Sequence, residues 1–385
     1  MSPRPAVSST RLEAIAGALR DAARRGHDAA RTMPAAFYTD PDFAALEAEH
    51  LFRREWQCVG RVEEVSEPGQ YMTYRLGDEA LVIVHGEDGR IRALSNVCRH
   101  RGTLIARDKG KARRLLCPYH HWAYDLTGQL TAAPNIPARP DFEVGACRLP
   151  AFPCETWLGF IFVCLDPDAA PLAPRLAALE ARVRPYHLED MWLGYLGEEV
   201  WDTNWKCVVE NYMEAYHLSP LHRTTLAALN PTRLARHIPP EPAWFAYEVG
   251  FPADLPRVTR GHPDLSPDEA DTCIMIMIGP GSGVGLAADY SSFLCIQPEG
   301  PDRARFKAGL LFWGDAWQPS DVTRATELFH ATMAEDRMVI EAMMTGYRSR
   351  HHAPGPLAPA ALEGPVLDLA HFVGRRLGPA LERRP

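Results

Sequence analysis

Two short stretches of this sequence carry side chains that bind metals. Cys98-Arg99-His100 and Cys117-Pro118-Tyr119-His120 each offer one thiol and one imidazole, with sixteen residues between His100 and Cys117. Such a donor set suits two centres. One is a tetrahedral zinc ion with mixed Cys and His ligands. The other is a [2Fe-2S] cluster in which two His replace two Cys on one iron. The spacing favours the cluster. Structural zinc sites usually pair like ligands, two cysteines on one hook and two histidines on the next. Mixed hooks instead let each hook supply one ligand to each iron.

A second set lies downstream. Glu210, Glu214 and His217 recur at intervals of four and three residues. That spacing predicts one face of a helix opening at Asn204-Trp205-Lys206 and running to about 219. His222 would face elsewhere if this helix continued, but Pro220 disfavours continuation, and a turn over 219–221 can swing it back beside His217. Two imidazoles and one carboxylate, with a coordination face left open, form the facial triad of non-haem Fe(II) oxygenases. The best candidate for the carboxylate is Asp336, which stands among Met333, Met338, Val339 and Ile340. Taken alone, these residues also fit an ordinary solvated surface. An electron-carrying centre upstream tips the balance towards O2 chemistry.

The elements that must position these groups differ along the chain. Its 385 residues suffice for two domains. Residues 11–31 predict a helix with Leu12, Ile15, Leu19 and Ala22 on one face, and residues 40–56 a second, with Asp40 as cap and Pro41 in the first turn. From Val59 to Leu165, short β-rich runs alternate with Gly, Asp and Pro, and Asp88-Gly89 predicts a hairpin. Residues 166–187 read as a crossover between domains. Helices are expected near 204–219 and 320–349, and strands near 243–251, 272–278, 290–297 and 305–313. Gly279 to Gly285 lacks the Lys-Ser/Thr of a phosphate cradle and reads as a loop. A net charge of −8 argues against nucleic acid as a partner. No apolar run is long enough to span a membrane. Seven further cysteines scattered among apolar residues, with no secretory signal, predict a reducing, cytoplasmic setting.

With these residues in view, the chain resembles, over nearly its whole length, the α subunit of the Rieske non-haem iron ring-hydroxylating oxygenases. The matching segments are Leu51-Phe52 with Trp56, Asn96 to Gly102, Cys117 to His120, Asn204 to Lys206, Glu210 to His217 with His222, and Glu335-Asp336. The resemblance implies an α+β fold: a Rieske β domain, then a helix-grip-like catalytic domain with an antiparallel sheet. Its boundaries would give an N-terminal helical segment at 1–40, a Rieske domain at 41–180 and a catalytic domain at 181–385. It implies a cluster on Cys98, His100, Cys117 and His120, and Fe(II) on His217, His222 and Asp336. Glu214 would bridge a cluster His of one subunit to the iron site of the next, in a head-to-tail ring such as a homotrimer, with or without a small β subunit. Electrons would come from NAD(P)H through a separate reductase or ferredoxin, since the chain has no dinucleotide fingerprint of its own. O2 and a small organic molecule would be the substrates.

The sequence departs from the family at two positions. His121 replaces the usual Gly after the last cluster His, and the bridge is Glu where Asp is usual. The Glu variant resembles members acting on choline, betaines and carnitine. Three functions are open at this point. The first is monooxygenation of an N-methylated or quaternary ammonium compound, held in a cage drawn from Trp201, Trp205, Tyr212, Trp244, Phe245, Tyr247, Tyr290, Phe293, Phe312 and Trp313, most of which also read as core residues. The second is mono- or dihydroxylation of an aromatic ring or aromatic acid, with Arg233, Arg236 or Arg257 on a carboxylate. The third is a plain Rieske electron carrier, which the second iron motif opposes.

Overall fold

The computed structural model describes residues 7–255 and 260–382. Two units emerge, Arg53–Leu172 and Met1–Phe52 with Ala173–Pro385. The smaller is β-built. Its main sheet runs in the order Lys109–Lys111, Gln70–Leu76, Glu79–His85, Ile91–Ser95, Ala151–Phe152, with antiparallel neighbours. Leu81, Val82, Ile83 and Val84 in the central strand are all buried. Successive side chains of a strand point to opposite faces, and here each face has its own core. Val82 and Val84 join Leu94, Cys98, Cys117 and Tyr124, while Leu81 and Ile83 join Val59, Ile161 and Val163. The continuous apolar run therefore reflects a strand covered on both sides. The Asp88-Gly89 turn forms as expected, with Gly89 at φ +76°.

The larger unit holds a seven-stranded antiparallel sheet. In spatial order its strands are Trp192–Trp201, Ala304–Phe312, Tyr290–Pro298, Ser282–Leu286, Thr272–Ile278, Trp244–Gly250 and Ala235–Ile238. The helices Trp205–Tyr212, Pro319–Tyr347 and Ala360–Glu382 belong to the same unit. Trp201, Trp205, Val209, Phe245, Ile340 and Phe372 meet in one core. The N-terminal helix spans Val7–Arg24 and buries Leu12, Ile15, Leu19 and Ala22, the face expected from their spacing. The fold class is α+β.

Several local expectations are corrected. The division falls at 52/53 and 172/173, where the sequence reading placed 40/41 and 180/181. Phe43, Leu46, Leu51 and Phe52 share the core of the larger unit, which explains the first shift. The stretch read as a crossover contains a helix, Leu172–Val183, whose Leu172, Leu176, Leu179 and Val183 are buried at helical spacing. The glycines read as a loop include an interior strand, Ser282–Leu286. A Cβ on Gly283 would stand 2.8 Å from the Tyr212 ring, and one on Gly285 would stand 2.7 Å from Ser292 Oγ. These glycines let Tyr212 lie close against the sheet.

Candidate metal centres and substrate cavity

Each hook in the smaller unit is a tight turn closed by backbone bonds around its cysteine. The Cys98 amide donates to Thr103, and the Gly102 amide to Cys98, with Gly102 at φ +75°. In the second turn, the Cys117 amide donates to Trp122 and the His121 amide to Cys117. His121 takes φ +57°, a conformation that favours glycine, and its side chain is exposed. The thiols of Cys98 and Cys117 are buried, while His100 is exposed and His120 half-exposed. The two His Nδ1 atoms lie 3.1 Å apart. Trp122 stacks on His100 at 4.9 Å and Tyr119 on His120 at 3.7 Å. Tyr124 Oη accepts the Arg99 amide and lies 3.4 Å from Cys98 Sγ.

Burial pushes the Cys98 thiol up, and a positive centre beside it would favour the thiolate. The donors thus arrive as an inner thiol pair and an outer imidazole pair. One zinc ion needs four donors at one point; a cluster with two irons fits this split.

In the larger unit the helix that opens at Trp205 stops at Tyr212, well short of His217, which corrects the single-face expectation. The cause is tertiary. The Ala215 amide donates to Leu362, and the Ala215 carbonyl accepts Thr232 Oγ1, so this backbone is taken out of the helical ladder. A separate turn, Leu218–Leu221, then carries the chain past Pro220 to His222. The two imidazoles end 5.0 Å apart. Asp336 Oδ1, from the helix Pro319–Tyr347, lies 3.2 Å from His222 Nε2 and 3.7 Å from His217 Nε2.

The remaining polar atoms are held by partners. Glu214 accepts from His217 Nδ1 and from the amides of Tyr216 and His217. Glu335 accepts from His222 Nδ1 at 2.7 Å and from Thr225 Oγ1 at 2.6 Å. Asn211 Nδ2 donates to Asp336 Oδ1 at 3.2 Å. Burial opposes a charge on His222, but Asp336 and Glu335 outweigh it and lift the imidazole above its ordinary range. His222 Nε2 is buried, makes no hydrogen bond and faces a carboxylate. A cation between these donors would satisfy all of them, so the residues fit an Fe(II) ion. Glu210 does not join this group; Tyr38 Oη donates to its carboxyl, 2.8 Å from Oε1 and 3.0 Å from Oε2.

A cavity of about 550 Å³ opens from His217, His222 and Asp336. Tyr212, Tyr247 and Tyr290 line it, as do Phe251 and Phe329, which the sequence reading missed. The other seven aromatics proposed for a cage do not line it. Trp205, for example, packs edge-on against Phe52, and Trp201 against Phe306. Asp271 and Asp289 also face the cavity, and among the described residues no lysine or arginine does. Burial raises the Asp289 carboxyl, against the Tyr290 amide and Arg260, which lower it. Arg233 and Arg236 are exposed, and Arg257 lies outside the described residues. Asn211, Glu335 and Asp289 carried no signal in the spacing, except that Glu335 adjoins Asp336.

Comparison with known proteins agrees with this geometry. Residues 55–153 match the Rieske [2Fe-2S] domain, and residues 178–378 match the catalytic domain of the ring hydroxylating alpha subunit. The glycine betaine monooxygenase oxygenase subunit of Chromohalobacter salexigens is 29% identical over 91% of this chain and 87% of its own. The carnitine monooxygenase oxygenase subunit of Escherichia coli is 36% identical over 50% of this chain and 52% of its own. Among solved structures, a quaternary ammonium Rieske monooxygenase superposes with a TM-score of 0.82 at 23% identity, covering 91% of this chain and 96% of that one. Naphthalene 1,2-dioxygenase from Rhodococcus gives 0.75 at 20% identity, covering 97% of this chain and 99% of that one. Identities this low bear on the fold alone.

Proposed function

This chain belongs to the ring hydroxylating alpha-subunit family of Rieske oxygenases, and on that premise we propose that it oxygenates a cationic, N-methylated or quaternary ammonium compound. It is a Rieske-type iron oxygenase whose cofactors are a [2Fe-2S] cluster and a mononuclear iron. We assign the cluster to Cys98, His100, Cys117 and His120, and the iron to His217, His222 and Asp336. When bound, the two centres supply electron storage and O2 activation. The protein residues prepare for that chemistry. Glu335 holds the Nδ1 proton of His222 and leaves Nε2 free as a donor atom, and Glu214 does the same for His217.

The observation that carries the substrate class is the cavity. A quaternary ammonium group needs no hydrogen-bond acceptor but gains from aromatic faces and from fixed negative charge in a low-dielectric site. Tyr212, Tyr247, Tyr290, Asp271 and Asp289 offer both beside the triad. The same lining opposes an aromatic acid, whose carboxylate would meet two more carboxylates. The names of the betaine and carnitine relatives point the same way. Electrons would come from a separate NAD(P)H-dependent reductase or ferredoxin. The working assembly would be a head-to-tail ring, such as a homotrimer, in which Glu214 meets the cluster His of a neighbour. The seven cysteines outside the proposed cluster set, none of them in a disulfide, fit a reducing, cytoplasmic setting.

Substrate-dependent O2 uptake by the reconstituted enzyme tests this reading. Betaines, carnitine and choline should stimulate uptake, and Asp289→Asn should raise KM for them about tenfold while leaving a neutral isostere unaffected. Uptake driven by aromatic acids alone would overturn it in favour of ring hydroxylation.

A further inference from the structure

Away from the iron site and the cavity, a second set of two imidazoles and one carboxylate converges in the larger unit. His27 follows the N-terminal helix, His237 lies on the edge strand Ala235–Ile238, and Asp368 lies on the helix Ala360–Glu382. One donor atom from each falls within 4.8 Å of the others. His237 Nε2 is 2.6 Å from Asp368 Oδ2, His27 Nε2 is 4.0 Å from Asp368 Oδ1, and the two rings are 5.0 Å apart. None of the three lines the cavity.

Two atoms of this set lack partners. His27 Nε2 and Asp368 Oδ1 are both buried without a hydrogen bond, and Asp368 is 2% exposed. A buried carboxylate oxygen and a buried imidazole nitrogen left unpaired each cost free energy. At 4.0 Å they are too far apart to satisfy each other directly. A Cβ at Gly364 would come within 2.7 Å of the His237 ring, so this glycine seats the second imidazole. The triad facing the cavity carries the same mark: a buried, unpartnered Nε2 on His222, facing the carboxylate of Asp336. The same pattern of unpaired donors, in two separate sets of two imidazoles and one carboxylate, calls for the same type of occupant.

We propose that His27, His237 and Asp368 form a second metal site, which takes a divalent transition ion of the zinc class. Imidazole and carboxylate donors suit zinc, and a water molecule completes the tetrahedron. The site is structural. It ties the segment after the N-terminal helix to the helix Ala360–Glu382 and to the edge of the sheet. The N-terminal helix already shares a core with that helix through Leu12, Ile15 and Leu19 against Phe372, Val373 and Leu377.

The test uses holoenzyme with its cluster and iron in place, exposed to Zn2+, desalted and analysed for metals. Wild type should retain about one zinc per chain more than His27→Ala or Asp368→Asn. Iron content and the visible spectrum should match in all three. Any zinc that enters the iron site is common to all three and cancels in the difference. Zinc should also raise the Tm of wild type and leave that of His27→Ala unmoved. Equal zinc in wild type and His27→Ala overturns the proposal and leaves a buried water as the bridge. If Asp368→Asn fails to fold, His27→Ala decides alone, because its side chain is 31% exposed on a short segment.

Discussion

In the smaller unit, all four donors proposed for the cluster lie between Cys98 and His120, on two turns of one hairpin-rich domain. In the larger unit, His217 and His222 sit on irregular backbone and meet Asp336 from a distant helix. The first site is built by local turns: its cysteines are fixed by bonds to Thr103 and Trp122, a few residues away. The second is built by tertiary capture: Leu362 and Thr232 pull Ala215 out of a helix, and Glu335 orients His222 from the far helix. A site made locally should tolerate damage elsewhere, whereas one made from separated elements should respond to changes in each of them.

The sharpest way to break that contrast is to empty one site and look at the other. Asp336→Ala should abolish mononuclear iron and all oxygenation while leaving the cluster spectrum intact. Cys98→Ser should abolish the cluster absorbance while metal analysis still finds the mononuclear iron. Loss of both centres in either variant would mean that the units do not hold their metals independently.

How far each site could be read from the sequence follows from the same difference. That the two hooks form turns and bring His100 beside His120 could be read because spacing and turn chemistry are local properties. The α+β class and the buried face of the N-terminal helix could be read for that reason too. The helix end at Tyr212 could not, because Glu210, Glu214 and His217 keep perfect helical spacing and distant groups, Leu362 and Thr232, overrule it. The cage was misread because a cavity-lining Tyr290 and a core Trp201 look alike until the sheet closes. Asp289 and Asn211 became visible only once the cavity and the triad were assembled.

Partners of the iron-site imidazoles give intermediate effects. Partners of this kind usually change metal affinity or activity by about 10- to 100-fold when removed. Glu214→Gln should slow turnover by about 100-fold and weaken iron binding by no more than about tenfold, because Gln keeps one of the two accepting oxygens while the proposed intersubunit link loses its charge. Glu335→Gln should weaken iron binding about tenfold and slow turnover no further than the iron loss explains. Single-turnover rates set against iron content separate the two. Equal loss of iron in both variants would erase the distinction between a bridging and an orienting carboxylate.

Glu210, on the helix Trp205–Tyr212, is a buried carboxylate outside the triad. Burial raises it from an ordinary 4.5 to about 8, with Tyr38 and Lys206 pulling down and Glu363 and Glu214 pushing up. At neutral pH it is protonated when folded and ionised when unfolded. The folded state then binds the extra proton, so stability is fully present below about 4.5 and is lost as pH rises through about 8. Glu210→Gln mimics the protonated form. The Tm of wild type should fall relative to Glu210→Gln between these values, and a difference that stays flat with pH would show that Glu210 is not displaced.

His121 tests the smallest claim about the local site: that its departure from glycine is a matter of backbone alone. At φ +57° a residue with a Cβ is disfavoured by roughly 1–2 kcal/mol relative to the right-handed region. Glycine removes that strain but adds about 0.5–1 kcal/mol of unfolded-state freedom. The difference is about 0–1.5 kcal/mol, so His121→Gly should stabilise the cluster turn by no more than about 1.5 kcal/mol. The thermal midpoint for loss of the visible absorbance should rise slightly. The spectrum and the reduction potential should stay as in wild type, because the His121 side chain is exposed and its amide bond to Cys117 is kept. A shifted potential would show instead that this imidazole acts on the cluster through its charge. The contrast drawn above would then need revising, since one residue of the local site would carry an electronic role that turn geometry does not reveal.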